Sequence, residues 1–274
     1  VLLEDRPVEV TTFRSDGDYL DGRRPESVRL GVDLLEDLSR RDFTINAMAL
    51  PVGGGPLVDP FGGRADLEAG LIRAVGDPLQ RFAEDGLRPL RACRFASQLG
   101  FEVEAATRSA IPERLNVARK VAMERVFTEL DKLLRGSEPQ RGLGLLAESG
   151  LLDLWLPELR PMVGCGQNRH HAHDVWRHTL EVVRAAPAES ALRWAGLLHD
   201  VGKPGTRSVG PDGEIHFYGH EAPSLELAAG IFERLKASHA LRKAALALIR
   251  HHGTHPTEAW GDAACRRFLG RLEA

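Results

Sequence analysis

The sequence predicts an α+β fold that is predominantly α. Close to the amino end, Val8, Val10 and Thr12 alternate with Glu9 and Thr11, the period-2 pattern of a half-buried strand. Further along, apolar side chains recur at helical spacing, most regularly in VAMERVFTELDKLL (121–134), which is typical of an amphipathic helix. These observations predict a small α+β portion followed by an all-α remainder.

Length and charge set broad limits on the function. The chain has 274 residues, with 36 Lys and Arg against 39 Asp and Glu, and a formal net charge of −3. This length favours two domains, and local arginine clusters can hold phosphates despite an acidic balance. No apolar run of membrane-spanning length and no signal-peptide pattern occurs in the sequence, so we expect no membrane partner and a cytoplasmic location.

The cysteine content supports the same location. Cys93, Cys165 and Cys265 are isolated, without the Cys-x-x-Cys spacing of a zinc site. We therefore expect free thiols in a reducing cytoplasm rather than a disulfide framework.

The first strand predicted by the alternation carries a carboxylate, Glu9, in its middle. Two interpretations stay open: an exposed acid on the strand, or a carboxylate that binds or tunes a metal ion on a catalytic sheet. The next segment, 15–28, is a polar loop rich in Gly, Asp and Pro. Asp16 and Asp18 form an Asp-x-Asp there, but the intervening Gly17 indicates a turn rather than a metal site.

A second polar cluster lies in DLSRRDFTINAMAL (37–50). Arginines such as Arg41 can hold a triphosphate, and Asp42 can accept a hydrogen bond from a ribose hydroxyl. Asn46 follows Asp42 at helical spacing. The alternative for this cluster is a salt-bridged helix start.

The segment RFAEDGLRPLRACRFASQLG (81–100) holds the densest group of acids and arginines. Helical spacing puts Glu84, Arg88 and Arg91 on one stripe, with Asp85 about a quarter-turn away. A carboxylate accepts from an exocyclic amine, and a guanidinium donates to the neighbouring ring nitrogen or carbonyl. Cytosine and adenine present an amine beside an acceptor, whereas uracil and guanine present a carbonyl there. The pair therefore predicts selection of C and A without a nucleic-acid template.

Two features complicate this stripe. Pro89 disfavours a continuous helix and indicates that a helix begins near Asp85–Gly86, with Asp85 close to a capping position. The alternative interpretation is that Glu84 and Arg88 form a solvated ion pair on a helix, which contributes ~0.3–0.5 kcal/mol to stability.

Histidines at helix positions form a second constellation in the carboxyl-terminal part. One histidine on a helix is usually a core residue, but several of them, with a His-Asp doublet before a Gly-Lys turn, suit one or two divalent metal ions in a helical bundle. Such a metal ion lowers the pKa of a bound water that attacks a phosphoester. The candidate metal ligands are His178, His199, Asp200, His220, His251 and His252. We assign no role to His216 and Tyr218, which flank a predicted hairpin.

Three ordered motifs, RRDFTINAMAL, LVDPFGGRADL and RFAEDGLRPLRACRFASQLGF, resemble the tRNA nucleotidyltransferase family, the CCA-adding enzymes and bacterial poly(A) polymerases of the bacterial class. The resemblance covers most of residues 1–160 and implies part of a polymerase-beta-like head, a helical neck, tRNA and CTP or ATP as partners, and Mg²⁺ as cofactor. VEVTTFR matches the strand of the third active-site carboxylate, here Glu9. The resemblance assigns the remaining residues to the incoming nucleotide: Arg41, Asp42 and Asn46 for ribose and phosphates, Glu84, Asp85 and Arg88 for the base, and Arg91 and Arg94 close by.

The region 165–274 resembles the HD superfamily of metal-dependent phosphohydrolases. The resemblance rests on His178, His199 and Asp200, and less firmly on the later histidines. The superfamily pattern closes with a downstream aspartate, which we expect beyond Ala274 rather than at Asp262 in the loop-like GDAA.

Together the resemblances predict a head portion over 1–65, a neck over 66–160 and an HD domain over 165–274.

One family motif is missing from this sequence. The glycine pair, Arg-Asp and Asp-x-Asp, whose aspartates hold magnesium in the family, does not occur ahead of Glu9. We expect the chain as given not to transfer nucleotides, and the full-length protein to add C, A or both to tRNA 3′ ends. The rival hypotheses are an HD phosphohydrolase with the first part as a scaffold, and a non-catalytic RNA-binding module. The oligomeric state stays open.

Overall fold

The computed structural model describes residues 2–3, 6–8, 10–17, 27–167, 173–254, 261–263, 265–266 and 270. Glu9 and Asp18 lie outside the described residues. The chain divides into two compact units, one formed by 1–92 and 101–121 and the other by 93–100 and 122–274. The two units are described separately below.

Short strands and mostly short helices make up both units. The strands are β1 Leu2–Leu3, β2 Arg6–Pro7, β3 Arg14–Asp16, β4 Val28–Leu30, β5 Leu71–Ile72, β6 Glu102–Val103, β7 Ser208–Val209 and β8 Ile215–His216. The α-helices of the first unit, with α4 shared between the units, are α1 Leu34–Ser39, α2 Gly63–Glu68, α3 Pro78–Glu84, α4 Arg88–Leu99, α5 Ala105–Ala110 and α6 Leu115–Ala118. The helices of the second unit are α7 Met123–Leu134, α8 Pro139–Glu148, α9 Leu151–Trp155, α10 Val175–Ala185, α11 Ser190–Leu198, α12 Lys203–Thr206, α13 Glu221–Arg234 and α14 His239–His251. Single 3₁₀ segments span Thr44–Asn46, Pro112–Arg114 and Pro157–Met162. This composition confirms an α+β fold that is predominantly α.

The predicted strand over residues 8–12 is wrong for its described residues. Residues 8 and 10–13 have no strand structure, and Val8 and Val10 are 41% and 76% exposed. An alternating segment becomes a strand only where a neighbouring strand satisfies its backbone. The partner present, β4, pairs instead with β3, with Arg14 opposite Leu30 and Asp16 opposite Val28.

The predicted single stripe of Glu84, Arg88 and Arg91 is also wrong, because the segment forms two helices. The first helix, α3, ends at Glu84, and Asp85 is extended, with φ −139° and ψ 111°. Asp85 then caps the start of α4, since its Oδ1 accepts from Leu87 N at 3.0 Å and its carbonyl accepts from Arg88 N at 3.0 Å. The predicted helix start and the capping position of Asp85 are confirmed.

Gly86 fixes the position of this break. A Cβ atom at Gly86 would lie 2.6 Å from the carbonyl oxygen of Val117, so only glycine allows the two backbones to approach. Around it, the core of the first unit contains the fully buried side chains of Phe43, Ile72, Phe82 and Leu90.

A bundle of long helices dominates the second unit. α11 packs against both α10 and α14, and α13 packs against α14. The buried indole of Trp194 stacks on Phe127 with a centroid distance of 5.7 Å and meets Phe232 edge-on at 5.6 Å. Its Nε1 donates to Asp131 at 3.2 Å. Trp194 therefore ties α11 to α7 and α13.

The helices predicted to carry the histidines are confirmed. His178 lies inside α10, His199 ends α11, His220 precedes α13, and His251 and His252 close α14. The predicted hairpin is present as β7 and β8, with Ser208 opposite His216. Among the described residues, none of the helices combines the length and apolar character needed to cross a bilayer.

Candidate functional site

Asp42 is the buried centre of an arginine and amide cluster in the first unit. It is 8% exposed and accepts from Phe43 N at 2.9 Å, Asn46 Nδ2 at 3.1 Å and Arg91 Nε at 2.6 Å. Burial raises the pKa of Asp42, but the charge of Arg91 and these hydrogen bonds outweigh burial and lower it. The predicted Asp42, Asn46 and Arg91 are thus brought together around an ionised carboxylate.

Asp37, which the sequence analysis left without a role, anchors the neighbouring arginines. Its carboxylate is 1% exposed and accepts from Arg40 Nη2 and Arg41 Nη2, each at 2.7 Å. Burial raises the pKa of Asp37, but hydrogen bonds from Arg40, Arg41 and the Arg14 backbone lower it to about 2. The guanidinium of Arg41 stays 40% exposed, so an anchored cation remains accessible to a phosphate. The i,i+4 spacing of Asp37 and Arg41 was the signal in the sequence.

Glu84 is held between two arginines, and one of them, Arg81, was missed by the sequence analysis. Its Oε2 accepts from Arg81 Nη1 at 2.8 Å and from Arg88 Nη1. Arg81 is fixed in turn, because its Nε donates to the carbonyl of Val75 at 3.1 Å. Glu84 therefore orients arginines, and the carboxylate beside them at the helix break belongs to Asp85.

The guanidinium of Arg88 is fixed by backbone as well. Besides Glu84, it donates from Nη1 to the carbonyl of Arg81 at 2.8 Å and from Nη2 to the carbonyl of Arg40 at 2.9 Å. Within the described part of the chain, its Nε–H and second Nη2–H have no acceptor. Guanidinium N–H donors of this kind recognise planar acceptors such as a base edge.

Arg94 has a structural position in the second unit. Its guanidinium, 9% exposed, forms an ion pair with Glu129, donates to Gln98 Oε1 at 2.6 Å and lies 3.8 Å above the ring of Phe95. Its described partners therefore do not include the acids and arginines around Asp42 and Glu84. Breaking a buried ion pair of this kind costs ~3–5 kcal/mol, and the nucleotide contact predicted for Arg94 stays a prediction.

Asp200 is the centre of the second cluster, where four imidazoles converge on one carboxylate. The Nε2 atoms of His199 and His178 lie 3.0 and 3.7 Å from Oδ2, and those of His220 and His252 lie 3.2 and 3.7 Å from Oδ1. These side chains form two groups with metal-ligand spacing, one with His178 and His199 and one with His220 and His252, which share Asp200. His251 belongs to neither group, and Asp262 is exposed and belongs to neither.

Backbone contacts fix the tautomers of three of these imidazoles. The Nδ1 atoms of His199, His220 and His252 lie 2.9, 2.9 and 2.7 Å from the carbonyl oxygens of Gly196, Phe217 and Ile249. Each Nδ1–H donates there, which leaves the Nε2 lone pair directed toward Asp200. The Nε2 atoms of His220 and His252 are 3.1 Å apart, so two lone pairs face each other and favour a cation between them.

Asp200 itself fits a metal ligand. It is 1% exposed, and its Oδ2 makes no aligned hydrogen bond to a described residue, although Lys203 Nζ is 2.8 Å away. Burial raises the pKa of Asp200, but the adjacent imidazoles of His199 and His220 and the charge of Lys203 lower it far below its usual range. A buried, ionised oxygen without aligned donors suits a divalent cation.

Gly202 positions this carboxylate. A Cβ there would lie 2.6 Å from Ser224 N and 2.7 Å from the carbonyl of His220, and its own N–H donates to Ser224 Oγ at 3.0 Å. The turn after Asp200 is therefore pressed against the start of α13, which brings His220 to the cluster. Both metal-ligand groups found among the described residues lie in the second unit; the described residues of the first unit provide none for the magnesium ion expected in nucleotide transfer.

Three family models match consecutive parts of the chain. The Poly A polymerase head domain matches residues 1–73, the probable RNA and SrmB-binding site of polymerase A matches 100–162, and the HD domain matches 170–271. The division predicted at 1–65, 66–160 and 165–274 stays a prediction.

Relatives and solved structures agree with these matches. An A-adding tRNA nucleotidyltransferase of Deinococcus radiodurans is 43% identical over 256 residues, covering 89% of this chain and 58% of the relative. A CCA-adding enzyme of Bacillus velezensis is 49% identical over 198 residues, covering 72% of this chain and 47% of the relative. The chain therefore spans about half the length of the curated relatives it matches.

The fold matches as well. The crystal structure of the Bacillus stearothermophilus CCA-adding enzyme in complex with CTP has a TM-score of 0.56 and 29% identity, covering 95% of this chain and 63% of that one. The chain thus matches a Poly A polymerase head domain, an RNA-binding site of polymerase A and an HD domain in that order, and it is similar to tRNA nucleotidyltransferases over most of its own length.

Proposed function

We propose that the protein adds C, A or both to the 3′ end of tRNA, taking CTP or ATP without a nucleic-acid template. The observation that carries this proposal is the Arg88 guanidinium, which is fixed at the break between α3 and α4 that Asp85 caps. Arg88 is held by Glu84 and by two backbone carbonyls, so its remaining donors are oriented before a nucleotide binds. The names of the relatives support tRNA as the acceptor.

The surrounding cations suit the rest of the nucleotide. The exposed guanidinium of Arg41 would bind phosphate oxygens while Asp37 holds it in place. Asp42 would accept a ribose hydroxyl while Arg91 keeps it ionised. The first unit would thus bind the nucleotide as a whole and select its base through Asp85 and Arg88.

Equilibrium binding tests this base selection without requiring transfer. Isothermal titration calorimetry of the chain with each of the four ribonucleoside triphosphates should give lower dissociation constants for CTP and ATP than for UTP and GTP. A mismatched bidentate contact costs ~1–3 kcal/mol, which is about fivefold to 150-fold in affinity. Equal affinity for all four triphosphates would contradict the proposal.

A second function is favoured by the cluster at Asp200. We infer that the HD part hydrolyses phosphoesters of nucleotides or RNA ends with a divalent metal ion held by Asp200 and the imidazoles of His178, His199, His220 and His252. A bound metal ion would supply an acidified water and polarise the phosphate. The chain's own contribution is to direct four Nε2 atoms and a buried carboxylate at one point and to bring Lys203 to the phosphate.

Hydrolysis is tested by incubating the chain with a nucleoside 2′,3′-cyclic phosphate and Mn²⁺, Ni²⁺, Co²⁺ or Mg²⁺ in turn. Water adds to phosphorus, one ester P–O bond breaks, and the released hydroxyl takes the proton. Product formation with at least one metal ion, lost in Asp200→Ala, supports this function. Tight tRNA binding with neither nucleotide selection nor hydrolysis would favour a non-catalytic RNA-binding module.

A further inference from the structure

Arg81, in the last turn of α3, connects a loop carbonyl to the acid that holds Arg88. Its side chain is only 12% exposed. Its Nε donates to the carbonyl of Val75 at 3.1 Å, and its Nη1 donates to Glu84 Oε2 at 2.8 Å. Its own carbonyl accepts from Arg88 Nη1 at 2.8 Å. Arg81 is therefore linked to Arg88 twice, once directly through its backbone and once through Glu84.

The Val75 end of this connection is fixed by the segment that contains Asp42. Val75 is 1% exposed, and its N–H donates to the carbonyl of Asp42 at 3.1 Å. Gly76 follows with φ 70°, a left-handed conformation that glycine adopts without strain. The chain can therefore turn between Val75 and α3 while the Val75 carbonyl meets Arg81. Arg81 thus ties the backbone beside Asp42 to Arg88 within the first unit.

Two guanidinium groups share one oxygen of Glu84. Arg81 Nη1 and Arg88 Nη1 both donate to Oε2, and the side chain of Glu84 is 17% exposed. A carboxylate with one guanidinium as its partner favours the bidentate arrangement, in which both oxygens accept from two N–H groups of that arginine. Because Arg81 holds Oε2, it competes with this arrangement. The Nε–H and the second Nη2–H of Arg88, which have no acceptor in the described part of the chain, therefore stay available.

We propose that Arg81 is a positioning residue for base selection. It keeps Glu84 from binding Arg88 through both carboxylate oxygens, and it thereby leaves two N–H groups of Arg88 for the acceptors on the edge of cytosine or adenine. Arg81 itself contacts neither the base nor the phosphates. The inference rests on the proposed selection of CTP and ATP, and it adds the residue that keeps the base-binding arginine unoccupied before a nucleotide binds.

Arg81→Met tests this role, because methionine keeps an unbranched stem and removes every donor. Isothermal titration calorimetry of the full chain measures the dissociation constants of CTP, UTP and inorganic tripolyphosphate. The preference for CTP over UTP should fall about fivefold or more, since Glu84 then occupies the N–H groups that meet the base. The affinity for tripolyphosphate should not change. An unchanged preference, or an equal loss of affinity for all three ligands, overturns the proposal.

Two further variants separate positioning from packing. When Arg81→Met is combined with Glu84→Gln, the carboxamide offers a single acceptor oxygen, so the bidentate contact is removed and much of the lost preference for CTP should return. A double variant as unselective as Arg81→Met contradicts the proposal, because a second substitution would not restore lost packing. Arg81→Lys keeps a cation for Glu84 and should keep most of the preference, and it provides the test if Arg81→Met does not fold. Complete loss of the preference in Arg81→Lys also contradicts the proposal.

Arg114→Met is the matched control. Arg114 also donates its Nε to a backbone carbonyl of α3, that of Leu79 at 3.0 Å, but its described partners do not include Glu84. This variant should keep the wild-type preference, and the same loss as in Arg81→Met would rule out a specific role of Arg81. Equal affinity of the wild type for CTP and UTP would instead contradict the proposed base selection. A crystal structure of Arg81→Met then decides the contact on its own: both oxygens of Glu84 on Arg88 support it, and a single oxygen there overturns it.

Discussion

At the scale of single residues, two acids of the first unit hold arginines and a third caps a helix. Glu84 and Asp37 are buried or nearly so and each binds two arginines. Asp85 stands instead at the helix break, where its backbone is extended. Two adjacent carboxylates therefore have different tasks, because one ends a helix next to arginines and the other follows that end.

Asp85→Ala should remove the preference for CTP over UTP while CTP still binds through its phosphates. The expected loss of discrimination is ~1–3 kcal/mol, since one bidentate base contact disappears. The measurement is the ratio of the two dissociation constants. Glu68 is an exposed acid of the same unit, and the control variant Glu68→Ala should leave that ratio unchanged. An unchanged ratio in Asp85→Ala would contradict the hypothesis that Asp85 selects the base.

Asp37→Asn should destabilise the protein by about 2 kcal/mol at neutral pH. The pKa of Asp37 is lowered from 3.8 to about 2 by folding, so its contribution to stability is complete above pH ~4 and is lost as pH falls toward 2. Urea unfolding of the wild type and the variant at pH 6 and pH 3 checks this. The stability difference should shrink at pH 3, and a difference independent of pH would contradict the ion-pair assignment.

At the scale of elements, the break between α3 and α4 decides where Asp85 and Arg88 lie. Pro89 sits in the first turn of α4, where its missing N–H is harmless, and Gly86 permits contact with the backbone of Val117. Asp85 caps the new helix. A continuous helix would have given Asp85 helical backbone dihedrals instead of the extended ones with which it caps α4.

Gly86→Ala tests the break. The added methyl group would meet Val117 O at 2.6 Å, so we expect a loss of ~1–3 kcal/mol in unfolding free energy and a weaker preference for CTP and ATP. Gly144→Ala is the matched control, because Gly144 lies inside α8 with nothing within 4 Å of its added Cβ, and it should stabilise by ~0.5–1 kcal/mol. Thermal unfolding and nucleotide titration of both variants measure these effects. Equal stability of both variants would contradict the close approach of the Gly86 and Val117 backbones.

At the scale of the whole molecule, the chain carries two clusters of different chemistry in two compact units. The cluster of the first unit consists of arginines paired with ionised carboxylates. The cluster of the second unit consists of imidazoles with fixed tautomers around Asp200. Because both metal-ligand groups found in the described residues belong to the second unit, divalent metal ions should affect the stability of that unit selectively.

Addition of Mn²⁺ or Ni²⁺ should raise the melting temperature of the wild type, and a chelator should reverse the rise. Binding at one hundred times the dissociation constant stabilises by about 2.7 kcal/mol. Asp200→Ala should abolish the response because Asp200 belongs to both groups. His216→Ala, a histidine of the β7–β8 hairpin outside both groups, should keep it; an equal response in Asp200→Ala would exclude the cluster as the metal site.

Individual residues show which structural features the sequence predicts and which it does not. The helix positions of His178, His199 and His220 were predictable from amphipathic spacing. The position of Pro89 predicted that a helix begins near Asp85. The i,i+3 spacing of Arg81 and Glu84 was a signal in the sequence, but the Val75 carbonyl that fixes Arg81 was not predictable. Arg94 shared its motif with Arg91 but turned to Glu129, because residues three apart on a helix can face different neighbours.

The amino-acid sequence by itself determined the chemistry that is available and its order along the chain: an arginine and acid motif, then helices with histidines at or near their ends. Tertiary structure alone decided which arginines each acid binds, and that four imidazoles meet at Asp200. Local spacing reaches only a turn or two along a helix, whereas Arg91 and Asp42, or His252 and Asp200, meet only after distant segments have packed their apolar faces together.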